Sequence, residues 1–382
     1  MMMANLSEYN TLGFSKNEMS AFCLEAERSR DFSRRFHGVN VGMSSGTSGS
    51  RGIEIVTPRE EDFLRALFYA RFSFPRGEKL NLAFMLRVSS PAFALGPFGH
   101  RLTYISQLNP IEKIAAELEQ LQPNVLSAPA SMLHLLAREA RAGRLHIGPK
   151  RLISYAEVLY PDVESFLRDI FQCEVHQIYK CTEGAIAISC RHGRLHINED
   201  LVAVQLLDAN GLPTPAGQPC HRMIITDLCK RAQPIIRYEL NDIITISDQP
   251  CPCGSSFRVI SQIHGRSDDL FVARRIDGSG IEYIFPDFIG RSIISASDEI
   301  EEYQAIQESM SKVIIRIRPG AKADHERLAA AVKERLAEVF MAYRCLAPDL
   351  EVVFGPPQPN PRSLKLSRVI RTFTIDDDLQ GH

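Results

Sequence analysis

Between Ile111 and Tyr179 the apolar pattern changes period in regular alternation, and this restricts the possible folds more than any other feature. Ile111 to Leu121, Ser131 to Ala142 and Tyr160 to Phe171 repeat apolar residues every three or four positions, which predicts helices. Asn124 to Ala128, Arg151 to Ser154 and Glu174 to Tyr179 are short segments that read as strands. Strand, helix and strand repeated in this way predict a parallel sheet covered by helices. Ligands on such sheets gather at the carboxyl ends of the strands. Ser127-Ala128-Pro129-Ala130, Tyr155-Ala156-Glu157 and Tyr179-Lys180-Cys181-Thr182-Glu183 stand at those ends.

Upstream lies the loop Ser44-Ser45-Gly46-Thr47-Ser48-Gly49-Ser50-Arg51-Gly52, between the extended runs Val39-Asn40-Val41 and Ile53 to Thr57. Glycines let successive backbone N–H groups turn toward one point, hydroxyls add donors, and Arg51 adds charge. Such a concavity suits a polyphosphate. No Gly-Lys-Ser/Thr closes it, so it is not a Walker loop. A plain flexible Gly/Ser turn is the alternative. Lys16 to Phe36 and Arg59 to Phe74 carry helical spacing, and Leu80 to Val88 reads as a strand. Pro91 to His100, with Phe93 and Phe98, reads as a loop that either walls an apolar pocket or caps the core.

From Leu195 the texture becomes antiparallel, with Leu195 to Asn198, Ala203 to Leu207 and Met223 to Thr226 separated by turn residues. Gly265-Arg266-Ser267-Asp268-Asp269 looks like a boundary. Beyond it, Lys312 to Arg318 and Leu350 to Phe354 read as strands around a helix at Ala323 to Phe340, a separate α+β module. The expected domains are residues 1–266 and 267–382.

The 382 residues are 45% hydrophobic and 24% charged, an ordinary globular composition with room for two or more domains. A net charge of −2 argues against bulk binding of nucleic acid or an anionic membrane. No apolar run is long enough to span a bilayer. The start, Met1-Met2-Met3-Ala4-Asn5, has neither a basic flank nor an apolar signal core, which points to the cytoplasm. Nine cysteines, irregularly spread, point to reduced thiols or a metal site rather than a disulfide framework.

Taken together, these landmarks resemble the adenylate-forming enzymes, most closely the phenylacetate-CoA ligase group and its deazaflavin-adenylating relatives. Ser44 to Gly52 resembles their phosphate loop, and Tyr155-Ala156-Glu157 the Gly-Ala-Glu segment beside adenine. Tyr179 to Glu183 resembles Tyr-Gly-x-Thr-Glu, and Pro234 to Asp242 the Arg-Tyr-x-x-Gly-Asp segment. Gly265 to Asp269 resembles the hinge, and the segment around Lys365 the Gly-Lys-x-x-Arg-Val ending. These segments occur in the family's order between residues 40 and 371, and independent accidents of that kind are improbable.

The resemblance implies α/β plus α+β architecture: a large N-terminal adenylate-forming domain of parallel sheets, helices and a small antiparallel section, then a small mobile C-terminal α+β domain. It implies ATP and Mg²⁺. Ser44, Ser45, Gly46, Thr47, Ser48 and Gly49 would cradle the phosphates, with Ala156, Glu157 and Tyr179 around the nucleotide. Thr182 would hold the α-phosphate, Glu183 the Mg²⁺, and Asp242 the ribose hydroxyls. Arg266 would contact ribose or phosphate, and Lys365 would reach both the carboxylate and the α-phosphate. The implied reaction activates a carboxylic acid, of aromatic type, as acyl-AMP and passes it to the thiol of CoA or of a phosphopantetheinylated acyl carrier protein. Phe93, Phe98 and Tyr155 are candidates for a flat acid slot. The sequence departs from the family pattern at Ser50, Lys180, Asn241 and Leu364. Two alternatives stand: an adenylyltransferase acting on a hydroxyl without thioester formation, and a silent nucleotide-binding regulator, which the departures at Ser50, Lys180 and Leu364 keep open.

Cys190-Arg191-His192 and Cys251-Pro252-Cys253 form a second constellation. Three thiols and one imidazole complete a tetrahedral zinc site, expected to be structural, with Cys190, His192, Cys251 and Cys253 as ligands. Buried free thiols are the alternative.

Overall fold

The protein is described from a computed structural model, which covers residues 3, 5–43, 52–72, 74, 77–86, 89, 100–266, 269–284, 286–359, 366–373 and 375. The chain divides into two compact units. One comprises Met1–Leu240 and Thr245–Gln262, the other Asn241–Ile244 and Ile263–His382.

The first unit opens with helices α1 (Leu6–Tyr9) and α2 (Lys16–Ser29), the ribbon β1 (Asn40–Met43) and β2 (Ile53–Val56), and α3 (Pro58–Arg71). The parallel layer follows: β3 (Asn81–Leu86), β4 (Arg101–Ser106), α4 (Ile111–Leu121), β5 (Val125–Ala128), α5 (Ala130–Arg141), β6 (Arg151–Tyr155), α6 (Pro161–Phe171) and β7 (Glu174–Lys180). Then come β8 (Ala185–Ser189), β9 (Leu195–Ile197), β10 (Val202–Leu207), β11 (Arg222–Asp227) and β12 (Tyr238–Leu240), followed by β13 (Asp242–Ile246) and β14 (Val259–Arg266), whose residues are shared between the two units. The main sheet has the order β13-β14-β9-β8-β7-β6-β5-β3-β4. Strands β4, β3, β5, β6 and β7 run parallel, while β8 and β9 turn back antiparallel.

Alternation explains how this sheet is covered on both faces. Leu126 and Leu152 pack with Leu118, Leu133 and Leu167 from α4, α5 and α6. Their neighbours Val125 and Ile153 pack on the other face with Leu67 of α3 and with Phe72. Each helix starts or stops for a local reason. Thr57 caps α3 in a reciprocal box with Glu60, and Pro58 follows at the first helical position. Helices α4 and α6 end at Gln122 and Gln172 in left-handed geometry. The helix expected from Lys16 to Phe36 ends earlier, at Ser29, where Arg30 takes φ 59°.

The second unit contains the ribbon β15 (Phe271–Arg274) and β16 (Ile281–Ile284), helix α7 (Pro286–Ile294), β17 (Ile300–Ser309), β18 (Lys312–Pro319), α8 (His325–Ala342), β19 (Asp349–Phe354) and β20 (Val369–Arg371). Its sheet has the order β19-β18-β17-β20. Leu328, Val332, Leu336 and Phe340 of α8 join Ala305, Val313, Ile315 and Ile317 of the sheet in one core. Gly290 lets α7 lie against the Tyr303 hydroxyl, which occupies the space a Cβ there would need. Among the described residues no helix is long and apolar enough to cross a membrane.

Candidate functional site

Strand β2, Tyr238 and Lys230 are bonded to residues of one turn. Strands β7 and β8 are joined at Cys181–Gly184, where Cys181 N–H donates to Gly184 O at 3.0 Å and Gly184 N–H returns the bond at 3.3 Å. Thr182 and Glu183 are therefore the two central residues of a hairpin turn. Tight hairpins favour positive φ at such positions. Neither residue has it. Contacts from outside brace the turn instead. Lys230 Nζ donates to Thr182 O at 2.6 Å, and Lys180 Nζ to Cys181 O at 3.3 Å. A Cβ at Gly184 would stand 3.1 Å from Asp227 Oδ2, a tight approach. Asp227 Oδ1 in turn accepts from the backbone of Cys229 and Lys230, each at 2.8 Å, which fixes the bend carrying Lys230.

Tyr238, from the Arg-Tyr segment, hydrogen-bonds the Glu183 carboxylate. Burial, and then that carboxylate, raise the phenol's pKa. Tyr179 at the end of β7 places its hydroxyl 3.7 Å from Met223 Sδ on β11.

Strand β2, which leaves the glycine loop, reaches the same place. Glu54 accepts from Lys180 at 3.0 Å and from Lys230 at 3.1 Å. On either side of it, Gln233 accepts from Ile55 N–H at 3.0 Å and donates to Ile53 O at 2.8 Å. Glu60 of α3 takes the N–H groups of Arg231 and Ala232 at 2.7 and 3.1 Å. The chain from Asp227 to Gln233 thus clasps β2, α3 and the Thr182-Glu183 turn together.

At the end of β6, Ala156 takes φ 65°. A left-handed alanine is strained, and strain of this kind collects at functional sites. Glu157 Oε2 accepts from Ser131 N–H at 2.8 Å, so this carboxylate holds the first turn of α5. Tyr155 is buried: its hydroxyl donates to Met85 O, and its ring stacks on Phe84 at 5.2 Å. Lys180 and Asn241, which stand where the resemblance has glycine, both keep negative φ, so neither side chain strains the backbone.

Asp242 opens β13 and belongs to the second unit. The backbone of Arg266 ends β14. Ser44, Ser45, Gly46, Thr47, Ser48, Gly49, Phe93, Phe98 and Lys365 lie outside the described residues.

The thiol cluster forms with one change. Cys190, Cys251, Cys253 and His196 bring their ligand atoms within 4.8 Å of one another. His192 is not in the set. It is exposed, its backbone N–H donates to Cys190 Sγ, and its ring pairs with Arg191. The hairpin register explains the exchange: Ile188 stands opposite His196, so the strand itself carries this ring beside the end of β8. The separations Cys190 Sγ–Cys251 Sγ, 3.7 Å, and Cys253 Sγ–His196 Nε2, 3.5 Å, fit the edges of a tetrahedron with metal bonds of about 2.3 Å to sulfur and about 2.0 Å to nitrogen. His196 Nδ1 sits 3.0 Å from Phe257 O, which leaves Nε2 free to ligate. Burial raises the Cys251 pKa, but hydrogen bonds from Cys253, His196 and Cys190 bring it down to about 6. The signal missed in the sequence was a histidine between Leu195 and Ile197 on a strand with every residue buried.

No known protein-family profile matches the chain. A phenylacetate-coenzyme A ligase from Thermus thermophilus is 22% identical over 292 residues, a match spanning 66% of this chain and 61% of that protein's length. Among solved structures, a 2-hydroxyisobutyryl-CoA ligase matches 94% of this chain and 80% of its own, with a TM-score of 0.70 at 19% identity. A benzoate CoA ligase from Burkholderia xenovorans matches 86% and 68%, with a TM-score of 0.57 at 16% identity. The chain therefore has the fold of the adenylate-forming CoA ligases. In sequence it is similar to phenylacetate-coenzyme A ligase.

Proposed function

We propose that the protein uses ATP to activate a carboxylic acid as an acyl-adenylate and then transfers the acyl group to the thiol of coenzyme A. One observation carries this reading. The strand leaving the glycine loop, the Thr182-Glu183 turn and Tyr238 converge, although they are far apart in sequence. In the first step a carboxylate oxygen attacks the α-phosphorus and the bond to pyrophosphate breaks. In the second the thiolate attacks the acyl carbonyl and AMP leaves.

Charge develops on the phosphates during the first step, and fixed donors and a cation stabilise it. Ser45, Thr47 and Gly49 are the proposed loop donors, and Thr182 the partner of the α-phosphate. Glu183 offers a hard oxygen ligand suited to Mg²⁺, and its hydrogen bond from Tyr238 orients that carboxylate. Asp242 and Arg266 are proposed at the ribose, and Lys365 at the carboxylate and α-phosphate. The second unit carries Lys365 and is proposed to act as a lid turning about the segment near Asp268.

The acid is proposed to be aromatic, of the phenylacetate or hydroxybenzoate kind. The similarity to a phenylacetate-coenzyme A ligase supports that choice. A carrier-protein thiol is the other acceptor of the same chemistry. Cys190, His196, Cys251 and Cys253 are proposed to hold a structural zinc that ties the β8–β9 hairpin to the loop before β14.

ATP–pyrophosphate exchange with a panel of aromatic and aliphatic acids tests the first step. CoA and a phosphopantetheinylated carrier protein, added side by side, test the second. Exchange with no acid in the panel refutes the ligase reading and favours a nucleotide-binding regulator.

A further inference from the structure

We infer that Glu54, Lys180 and Lys230 form a positioning triad that sets the Thr182-Glu183 turn in register with the strand leaving the glycine loop. The inference rests on the adenylation reading for its purpose, and on geometry for its existence. Glu54 takes both Lys180 Nζ, at 3.0 and 3.1 Å, and Lys230 Nζ, at 3.1 Å. Each ammonium also holds a carbonyl of the turn, Lys180 that of Cys181 and Lys230 that of Thr182. One carboxylate thus couples β2 to two successive peptide groups of a turn whose φ angles do not suit a tight hairpin.

The three side chains are 20, 32 and 10% exposed for Glu54, Lys180 and Lys230, sheltered enough to resist screening by salt. Burial opposes the charge on Lys180, but Glu54 offsets it and raises the ammonium's pKa. The adjoining cavity, lined by Glu54, Lys180, Asp227 and Lys230, holds about 30 Å³. That is room for a water and not for a ligand. The triad therefore acts through what it positions.

Lys180 is the informative member. It replaces the glycine of the family pattern, and removing it leaves Glu54 paired with Lys230. The test measures ATP affinity by equilibrium dialysis with MgCl₂ on the full chain, for Lys180→Met, Glu54→Gln and the double variant. Hydrogen exchange of the peptide spanning Tyr179 to Ile186 is followed in parallel, and Lys180→Arg serves as the conservative variant. The expected result is an affinity loss of about tenfold in Lys180→Met, largely absent when Glu54 is already Gln, and partial rescue by Lys180→Arg. Exchange in the 179–186 peptide should rise more than in peptides from the rest of the chain. Additive losses, or unaltered exchange in that peptide, overturn the triad. If the wild-type chain binds no ATP, the adenylation reading fails by itself, and the hydrogen-exchange cycle still decides the triad. If Glu54→Gln does not fold, Lys230→Met replaces it in the cycle, with the same outcomes.

Discussion

Replacing Gln233 with Met tests how much of the site depends on a single side-chain amide. Gln233 is 1% exposed, and it bonds both edge groups of β2, Ile55 N–H and Ile53 C=O. Methionine has a similar length and volume, so the substitution removes the polar contacts without opening a large cavity. Each buried group left without a partner costs about 1–3 kcal/mol, so the two together cost roughly 2–6. Burying the more apolar side chain returns about 1–2 kcal/mol. Mid-range values, about 4 kcal/mol against about 1.5, leave a net loss of about 2.5 kcal/mol. Equilibrium urea unfolding, monitored by far-ultraviolet circular dichroism, measures it, with the exposed Gln218→Met as control. Because β2 also carries Glu54, pyrophosphate exchange should fall under conditions where the variant remains folded. A change below about 0.5 kcal/mol would refute the argument, since it would mean that other groups satisfy those backbone atoms.

Purified protein should contain about one zinc per chain, lost in His196→Ala and kept in His192→Ala. Metal analysis of the two variants decides between the rings, and equal zinc in both would remove His196 from the ligand set. Lys365→Ala should lower pyrophosphate exchange by roughly a hundredfold or more, as loss of an electrostatic contact to the reacting phosphate does. A rate within about threefold of wild type would exclude Lys365 from the first step. Burial raises the Glu54 pKa, but Lys180 and Lys230 outweigh it and hold the carboxyl below its ordinary 4.5. The stability this gives is complete above that ordinary value and fades as pH falls through the lower folded value. Wild type should therefore lose thermal stability on acidification below pH 4.5 more steeply than Glu54→Gln, and parallel profiles would contradict the assignment.

The parallel layer was legible because its period is written in single residues. Ile114 and Leu118, Leu133 and Leu136, and Val163 and Leu167 mark the buried helix faces, and the strands between them are nearly continuous apolar runs. Strand β17 was not legible. Its Glu301, Glu302, Gln304 and Gln307 look like loop, yet Gln304 and Gln307 are buried and spend their amides on backbone groups. Helix α7 was hidden by its proline and glycine. At the site, the order of the motifs pointed to Thr182, Glu183 and Tyr179. The clasp from Asp227 to Gln233 escaped notice because its work is done by side chains bonding distant backbone, which leaves no periodic trace. His196 was missed in favour of His192 because spacing along the chain ignores which residues a hairpin places opposite one another.

The amide of Gln233 has one more effect. A two-stranded ribbon such as β1–β2 offers an outer edge on which a strand from another molecule can be added. Here the donor and acceptor flanking Glu54 are already taken, in the manner of a neighbouring strand but by one residue. The outer edge of β2 at Ile53 and Ile55 is therefore closed to a strand from another molecule.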